Sequence, residues 1–551
     1  MAARSLALCG LVALTGCDAS APEGTAHAAT VEASPAQGPA SADASTEASA
    51  VETSALGDRA LPEEEAKPAG PAVWPKGRDD RPAADGDRIY SKSRHLWIRP
   101  QPRDSGSWLG YLSLGDAIRV KGGDAEQARV DPRVGAGSGR WCTTWYAVEP
   151  VGYVCVGELA TLDGDDPDIV ELRRRAADPT SPFPYRYGES LDAAVYVEPP
   201  SPELQKRREY ALEQHFEKLA AIRKAKDPAE VAAIDERLVG LDLSPAGKGP
   251  PRLLPDLPPH GRPNQSRIHN GSTLAYVDAF DHAGRTFLLT WDGGIVPKDK
   301  VRPYPESVFH GVILGEEASL PIAFFRVKDR PRYERAEDGS FVATDAVYPR
   351  LSWVALTGER VDREGGSFLA TSDGSWVAET DAAIARTASA MPDVVGKHGS
   401  DATWLDISIL GGTLVAYEGM KPVYATMISP GRGGIPQTGV PTLDTASTPT
   451  GTYSVLGKFL TATMQSSSIA TLVHAEVQYT MNFSGPYAVH GAYWHDQWGE
   501  PKSGGCVNLS PIDAQRIFRW AEPKLPPGWH GMRTLPQSHD FGRPTLVHLR
   551  R

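Results

Sequence analysis

Long apolar runs are missing from most of this sequence. After residue 20 no uninterrupted apolar stretch approaches the roughly 20 residues that a membrane-spanning helix needs, which excludes a polytopic membrane protein. Positive charge is also in deficit, because 57 Lys and Arg residues face 69 Asp and Glu residues and leave a net charge of −12. A protein that binds nucleic acid needs a basic face, so we expect no nucleic-acid partner.

Cysteine is scarce as well, with 5 among 551 residues. No CxxC pair occurs and the histidines near the cysteines are few, so we expect no metal site. Glycine and proline, at 54 and 47 residues, are abundant and unevenly spread. Long parts of the chain should therefore be loops or linkers between several folded units, because the length exceeds what one core needs.

The N-terminus has the features of an export signal. Arg4 gives a short positive segment, residues 6–14 are apolar but too few to span a bilayer, and Leu14-Thr15-Gly16-Cys17 follows. This ending resembles a bacterial lipobox, whose cysteine is lipidated. We therefore expect residues 1–17 to be a lipoprotein signal and Cys17 to anchor the protein to a membrane, facing the periplasm. The alternative is an ordinary cleaved signal with an incidental cysteine.

Residues 18–88 differ sharply in composition from the rest of the chain. Ala, Ser, Pro, Thr and Glu dominate, and Trp74 is the only aromatic residue. Such a segment cannot bury enough apolar surface to offset the entropy lost on ordering. We predict a disordered tether that carries the folded part away from the membrane.

Short β-like runs separated by Gly and Pro turns recur through the remaining chain. Residues 89–166, with the pattern WIRPQP…GYLSLGD…WYAVEPVGYVC, resemble SH3-like modules of bacterial cell-wall proteins; a spacer barrel without a ligand is the alternative. Residues 265–390 predict one or two further small β modules, in which the segments 293–297 and 373–377 are weakly similar. Residues 400–551 predict a larger β-rich domain, so the expected fold class is mainly β and multi-domain.

Residues 200–240 predict a helical connector. Ser201 followed by Pro202 is a good helix start, because serine caps free backbone N–H groups and proline fits the first turn. Leu212, Phe216 and Leu219 then fall on one face at helical spacing. We expect that face to pack against a neighbouring domain.

Three cysteines lie beyond the signal. Cys142 and Cys155 occupy strand-like runs on either side of Glu149-Pro150, as in a hairpin, and in an oxidising envelope they predict a disulfide. Cys506 is left alone. A lone thiol in an exported protein is either buried and inert or a nucleophile.

The residues around Cys506 suit nucleophilic chemistry. His490 lies upstream across a Gly-containing return, and an imidazole can both deprotonate and orient a thiol. Gly504 and Gly505 allow backbone N–H groups to approach a reacting carbonyl closely, as an oxyanion hole requires. The alternative, a buried small hydrophobe at Cys506, is disfavoured by the polar Ser-Gly-Gly-Cys context.

The motifs D-I-S, L-V-A-Y-E-G, T-P-T-G-T-Y, V-H-G and S-G-G-C-V-N-L follow one another between residues 400 and 551. In this order they resemble the L,D-transpeptidase (YkuD) catalytic domain. The resemblance implies a β-rich sandwich-like fold, Cys506 as nucleophile and His490 as base. It also implies that Gly491 orients the imidazole and that Ser503, Gly505 and Asn508 surround the cysteine.

One position departs from the family pattern. The family usually has a histidine two residues before the cysteine, where this sequence has Gly504. His495 is a candidate to fill that space, and a solvated loop histidine is the alternative.

The resemblance implies ping-pong acyl transfer between peptidoglycan stem peptides, with no cofactor. Water as acceptor would make the protein an L,D-carboxypeptidase, and a protein amine would make it a protein–wall ligase. The main rival hypothesis is a non-catalytic, lipid-tethered, peptidoglycan-binding protein with a decayed catalytic domain. A cysteine protease is a third possibility.

Overall fold

The computed structural model describes residues 85–551 except 105, 135–138, 255–256, 258–262, 264, 466–471 and 534–540. The predicted signal, Cys17 and nearly all of the 18–88 tether lie outside the described residues. Within them, no helix combines the length and the apolar character needed to cross a membrane. Strands dominate the described chain, which confirms the mainly β, multi-domain fold class.

Two helices begin at a serine followed by a proline. Ser201 Oγ accepts a hydrogen bond from the Leu204 N–H, and Ser510 Oγ accepts one from the Asp513 N–H, each with proline in the first turn. The predicted helix start at Ser201 is therefore confirmed, and Ser510-Pro511 begins a second helix in the same way. The α-helices in the described residues are α1 (Ala125–Ala128), α2 (Pro167–Arg175), α3 (Pro202–Arg208), α4 (Leu212–Ile222), α5 (Pro228–Asp235), α6 (Asp393–Gly396), α7 (Thr442–Thr445) and α8 (Pro511–Trp520).

Helices α3, α4 and α5 occupy the predicted connector, but one face differs from the prediction. Leu212 and Leu219 are buried as expected, whereas Phe216 is 41% exposed, so the prediction for Phe216 is wrong. His215 takes the inward place, with Nε2 3.2 Å from Asp299 Oδ1. A buried polar contact thus holds α4 where the apolar spacing predicted a third hydrophobic side chain.

The first β region pairs partly with the far end of the chain. β1, β4 and β7 form one sheet in the order β4-β1-β7, and β5 pairs with β6 as the predicted hairpin, beside a disulfide between Cys142 and Cys155. β2 and β3 instead join a sheet of C-terminal strands. The strands are β1 (Arg88–Ser91), β2 (Leu96–Ile98), β3 (Gly110–Leu112), β4 (Ala117–Arg119), β5 (Thr144–Ala147), β6 (Tyr153–Val156) and β7 (Ala160–Thr161).

The middle of the chain forms two further large sheets. The first has the order β13-β12-β11-β8-β14, with β9 and β10 paired beside it, and the second has the order β18-β17-β21-β20-β19-β16-β22. The strands are β8 (Arg186–Ser190), β9 (Ala193–Ala194), β10 (Arg267–Ile268), β11 (Thr273–His282), β12 (Arg285–Thr290), β13 (Ile295–Pro297), β14 (Val301–Pro303), β15 (Val312–Ile313), β16 (Ile322–Phe325), β17 (Arg330–Arg335), β18 (Phe341–Tyr348), β19 (Trp353–Arg363), β20 (Gly366–Thr371), β21 (Trp376–Ala378) and β22 (Ala382–Ala385).

The C-terminal region builds two sheets that recruit strands from earlier regions. One has the order β15-β25-β24-β23-β32-β26, and the other has the order β2-β3-β31-β27-β28-β29-β30. The strands are β23 (Thr403–Ser408), β24 (Thr413–Glu418), β25 (Lys421–Met427), β26 (Gly451–Ser454), β27 (Gly457–Gln465), β28 (Val473–Ser484), β29 (Tyr487–Gly491), β30 (Val507–Leu509), β31 (Gly531–Arg533) and β32 (Leu546–Arg550).

Helix α8 joins these two sheets and follows directly on β30. It contacts β28, β29 and β30 of one sheet. Its buried Asp513 accepts hydrogen bonds at 2.6 Å from Tyr424 Oη and Thr426 Oγ1 on β25 of the other sheet. Because α8 is fixed from both sides, the strand that leads into it is held in place as well.

Candidate active site

Cys506 and His490 lie at neighbouring strands. β29 carries His490 near its end, and β30 begins directly after Cys506. The two strands run parallel, with Val489 opposite Val507 and His490 opposite Asn508. Continuing this register, Cys506 lies opposite Ala488 and is therefore a diagonal neighbour of His490. The structure therefore places the two predicted catalytic residues at neighbouring strands, one diagonal step apart.

Ser503 fixes the tight turn that ends at the cysteine. Its Oγ donates a hydrogen bond to the backbone oxygen of Cys506 at 2.5 Å and accepts one from the Gly505 N–H at 3.0 Å. Ser503 is buried, and its backbone bridges to Gly431. The hydroxyl thus holds both ends of the 503–506 turn and sets the direction of the Cys506 backbone.

The glycines of the site differ in the room around them. Gly505 has φ +132°, and a Cβ there would lie 2.6 Å from Cε1 of Tyr487. A Cβ on Gly491 would lie 2.9 Å from the side chain of Gln478. Gly504 is exposed, and a Cβ there would meet no described atom within 4 Å. The structure therefore strains any larger residue at 505, crowds one at 491 against the Gln478 side chain, and has space for one at 504.

His490 is buried with a defined tautomer. Its Nδ1 lies 2.9 Å from the backbone oxygen of Gly491, and a carbonyl oxygen only accepts, so Nδ1 carries the proton and donates. Burial lowers the pKa of His490 to about 4, only partly opposed by this hydrogen bond. The imidazole is then neutral near pH 7 and its Nε2 has a free lone pair. The Gly491 carbonyl thus fixes the direction of the imidazole ring.

The Cys506 thiol is held in its neutral form. Burial raises its pKa to about 11, partly offset by a hydrogen bond from the Ala488 N–H. Its Sγ donates a long contact of 3.8 Å to the backbone oxygen of Pro486, and no hydrogen bond to His490 is present among the described residues. The pair is therefore a neutral thiol beside a neutral imidazole, which suits deprotonation at the moment of attack.

A neutral thiol should alkylate slowly. At pH 7.5 we expect iodoacetamide to modify Cys506 about 100-fold more slowly than an unperturbed cysteine of pKa near 8.5, because the thiolate is the reactive form. Since the thiol ionises only as the pH rises toward its pKa of about 11, the rate should climb above about pH 9 without a plateau between about pH 5 and 8. Intact-mass measurement over time gives these rates. A plateau near neutral pH would instead reveal a thiolate–imidazolium pair.

Strand β28 gives the site a buried polar face that the motifs did not reveal. Nδ1 of His474, both amide atoms of Gln478 and Oδ1 of Asn482 are buried without a hydrogen-bond partner in the described part of the chain. Polar residues occupy every second position from 474 to 482, the period of a strand with one polar side. That alternation was the sequence signal for these residues.

His495 lies in the site rather than in a solvated loop. It is half-buried, and its Nε2 is 3.1 Å from the side-chain amide of Asn508, the residue opposite His490. Trp494 next to it stacks on His474 at 4.2 Å between ring centroids and lies 5.9 Å from His490. Across the described ranges, no group of three or more His, Cys, Asp or Glu residues is arranged to hold a metal ion.

Comparison with known proteins bears on the C-terminal region. Residues 402–528 match the family model of the L,D-transpeptidase catalytic domain, YkuD. Residues 402–528 are therefore an L,D-transpeptidase-type domain. The match includes His490, Cys506 and Asn508. No curated protein is significantly similar to the chain.

Several solved structures are similar to parts of the chain. The L,D-transpeptidase of Xylanimonas cellulosilytica is 23% identical, with 28% of this chain and 62% of that chain covered and a TM-score of 0.18. The catalytic domain of the E. faecium L,D-transpeptidase is 19% identical, with 27% of this chain and 98% of that chain covered and a TM-score of 0.20. L,D-transpeptidase 3 of Mycobacterium tuberculosis is 17% identical, with 41% of this chain and 81% of that chain covered and a TM-score of 0.20. This chain thus spans about three fifths of the length of the solved Xylanimonas chain.

Proposed function

We propose that the C-terminal domain is a peptidoglycan L,D-transpeptidase that uses Cys506 as nucleophile and His490 as general base and acid. The observation that carries this proposal is the parallel pairing of β29 with β30, which makes Cys506 a diagonal neighbour of His490 inside the matched segment. The protein would act in the cell envelope, held at the membrane by a lipid on Cys17 and extended toward the wall by the 18–88 tether.

The first half-reaction forms a thioester. Cys506 Sγ attacks the carbonyl carbon between diaminopimelate and the terminal D-alanine of a donor stem, and its proton passes to Nε2 of His490. The imidazolium then gives that proton to the leaving nitrogen of D-alanine as the C–N bond breaks. Because Nδ1 is fixed on the Gly491 carbonyl, Nε2 is the only ring nitrogen available for both transfers.

The second half-reaction resolves the thioester. The amine of a neighbouring diaminopimelate attacks the acyl carbon, His490 Nε2 removes its proton, and the thiolate leaves and is protonated. Water in place of the amine would give an L,D-carboxypeptidase with the same residues. In the 503–506 turn the Gly505 N–H is already donated to Ser503, so the oxyanion donors would be the N–H groups of Gly504 and Cys506.

His495 adds a side-chain donor to this scheme. Nδ1 of His495 accepts a hydrogen bond from the Gln497 N–H at 3.3 Å, and burial, followed by the charge of Lys502, lowers the His495 pKa to about 4. A neutral imidazole with Nδ1 as acceptor carries its proton on Nε2. Nε2 then donates to the Asn508 carboxamide 3.1 Å away, which must turn its oxygen toward His495.

This orientation frees the Asn508 amide nitrogen. The position at the other end of the carboxamide is buried without a hydrogen-bond partner among the described residues. With the oxygen bound to His495, that position holds the NH2 group, two residues after the nucleophile. We propose that it donates to a substrate carbonyl and that His495 is the positioning residue that orients it.

Substitutions at His495 should separate orientation from packing. His495→Ala should lower the rate of Cys506 acylation by a carbapenem about 10-fold or more, because the Asn508 donor loses its fixed direction. His495→Gln, whose amide N–H can replace the Nε2 donor, should restore most of that rate. Acylation followed by intact mass, with the melting temperature measured in parallel, tests this. Equal rates for His495→Ala and the wild type would show that His495 does not position Asn508.

The proposed function is tested by incubating the full chain with purified peptidoglycan and analysing the muropeptides by mass. New diaminopimelate–diaminopimelate cross-links that form with the wild type and not with Cys506→Ala support transpeptidation. Tripeptide stems without cross-links support the L,D-carboxypeptidase.

Two observations favour a second candidate, the non-catalytic peptidoglycan-binding protein. The thiol pKa is raised to about 11 and no hydrogen bond joins Cys506 to His490 in the described chain. A wild-type protein that binds peptidoglycan but changes no muropeptide and takes up no carbapenem acyl group would establish this candidate.

A further inference from the structure

The chain between His490 and Cys506 is held partly by residues outside the matched domain. Residues 492–502 lead from β29 to the 503–506 turn and include His495, whose Nε2 lies 3.1 Å from the side-chain amide of Asn508. The family match begins at residue 402, but residues 307, 326 and 350 also contact this 492–502 segment. These contacts join the preceding β region to the proposed catalytic centre.

Trp498 is the buried anchor of the 492–502 segment. Its side chain is fully buried, and its ring stacks on Phe309 with 6.5 Å between the ring centroids. Its Nε1–H donates a hydrogen bond to Ser307 Oγ at 3.4 Å. The His495 ring lies 4.6 Å from the same indole. Because a large aromatic side chain is costly to withdraw from a core, this end of the segment is fixed against residues 307–309.

Arg350 holds the residue that directly follows His495. Its Nη2 lies 2.7 Å from Asp496 Oδ2 and donates a hydrogen bond to the Asp496 backbone oxygen at 3.0 Å. Arg326 and Glu500 form a second, longer ion pair of 3.6 Å further along the segment. A partly exposed ion pair alone stabilises little, but the additional bond to the main chain fixes the backbone direction at residue 496.

The turn that carries Arg350 is itself fixed. It lies between β18 and β19, where the Arg350 N–H donates to Asp329 Oδ1 at 2.7 Å. The Leu351 N–H donates to the Phe325 backbone oxygen at 2.8 Å, and the Phe325 N–H donates to the Ser352 backbone oxygen at 2.9 Å. The guanidinium therefore reaches the 492–502 segment from a supported position.

We propose that Arg350 is a positioning residue that acts through Asp496 on the direction of His495 and hence of the Asn508 carboxamide. Arg350 lies outside residues 402–528, so the reactivity of Cys506 depends on a neighbouring region of the chain. This inference rests on the proposed function, in which His495 orients Asn508.

Acylation kinetics of the full chain test this link. Arg350→Gln should lower the rate of Cys506 acylation at saturating carbapenem about 3- to 10-fold, with little change in the half-saturating concentration, because the Asn508 donor loses its direction. Arg350→Lys keeps the charge but not the planar fork and should restore part of the rate. Arg332→Gln is the matched control, since Arg332 is 36% exposed against 35% for Arg350 and pairs with Asp373 at 3.0 Å.

A double variant distinguishes positioning from a general structural effect. If Arg350 acts through His495, Arg350→Gln should add no further loss to that of His495→Ala, whereas independent effects would multiply. The melting temperature of Arg350→Gln should stay close to that of Arg332→Gln, because each change removes one partly exposed ion pair. Losses that multiply in the double variant, or an equal loss of acylation in Arg332→Gln, overturn the inference.

Hydrogen exchange separates this inference from the proposed function, because it needs no activity. Amides of residues 492–502 should exchange faster in Arg350→Gln than in the wild type or Arg332→Gln. Faster exchange in a protein whose wild type takes up no carbapenem supports Arg350 as the residue that holds the segment, while the transpeptidase assignment fails. An unchanged acylation rate in Arg350→Gln, when the wild type is acylated, overturns the inference and leaves the proposed function intact.

Discussion

Cys506→Ala is expected to lower L,D cross-link formation by roughly 10⁴-fold or more, to below detection, because removal of the nucleophile leaves no covalent route. The melting temperature should change little, because the thiol makes only weak polar contacts, with the Pro486 oxygen at 3.8 Å and with the Ala488 N–H, and the side chain loses one heavy atom. Muropeptide mass analysis and carbapenem uptake give the two readouts. An active, acylated Cys506→Ala protein would contradict the assignment of the nucleophile.

His490→Ala should lower the same activities by about 10²- to 10⁴-fold, the usual contribution of a general acid and base. His490 and Cys506 act as one unit, so the double variant should match Cys506→Ala alone. His310→Ala is a matched control, because His310 Nδ1 also lies 2.8 Å from the backbone oxygen of the next residue, Gly311, but the side chain is exposed before β15. Loss of activity in the control as well would point to folding rather than catalysis.

The residues that sequence predicted best are those whose partners are close in the chain or in a regular pattern. The caps at Ser201 and Ser510 depend on N–H groups three residues away, and both form. The weak similarity of the segments 293–297 and 373–377 also has a structural counterpart. Each leads through a strand into a 3₁₀ turn, Lys298–Lys300 or Glu379–Asp381, and then into another strand.

Long-range pairing could not be derived in the same way. β2 and β3 have three residues each, too few to specify a partner, and Tyr111 on β3 pairs with Gly531 on β31 at the other end of the chain. Residues 89–166 therefore look like a separate module in sequence, although two of their strands extend a C-terminal sheet.

The burial of particular polar residues was the other feature that could not be predicted from the sequence. Helical spacing identified a stripe on α4 but could not show that His215, with Asp299 as its distant partner, would be buried in place of Phe216. The polar alternation along β28 was visible in the sequence, yet only the fold shows that Gln478 lies against Gly491 beside the imidazole. The candidates Cys506 and His490 could be named from short local motifs, whereas the buried polar face of β28 depends on sheet order.

Gly504 and Gly505, the two glycines before the nucleophile, should differ in how well they tolerate a side chain. Gly505→Ala should lower carbapenem acylation about 100-fold or more and destabilise the fold by about 1–3 kcal/mol, because alanine is strained at positive φ and displaces the oxyanion turn. The new Cβ would lie 2.6 Å from Tyr487 Cε1 and 2.9 Å from the backbone oxygen of Ser447.

Gly504→Ala is the matched control and should leave both the acylation rate and the melting temperature nearly unchanged, because a Cβ there meets no described atom within 4 Å. Gly504→His, which restores the residue usual in the family, should fit for the same reason and alter rate or acceptor preference without creating activity from nothing. Intact-mass kinetics and thermal unfolding of the three variants give the comparison. Suppose that the wild type takes up no acyl group and that the Gly504→His variant does. The decayed peptidoglycan-binding protein would then be the correct assignment, because the missing histidine would be the lost catalytic element.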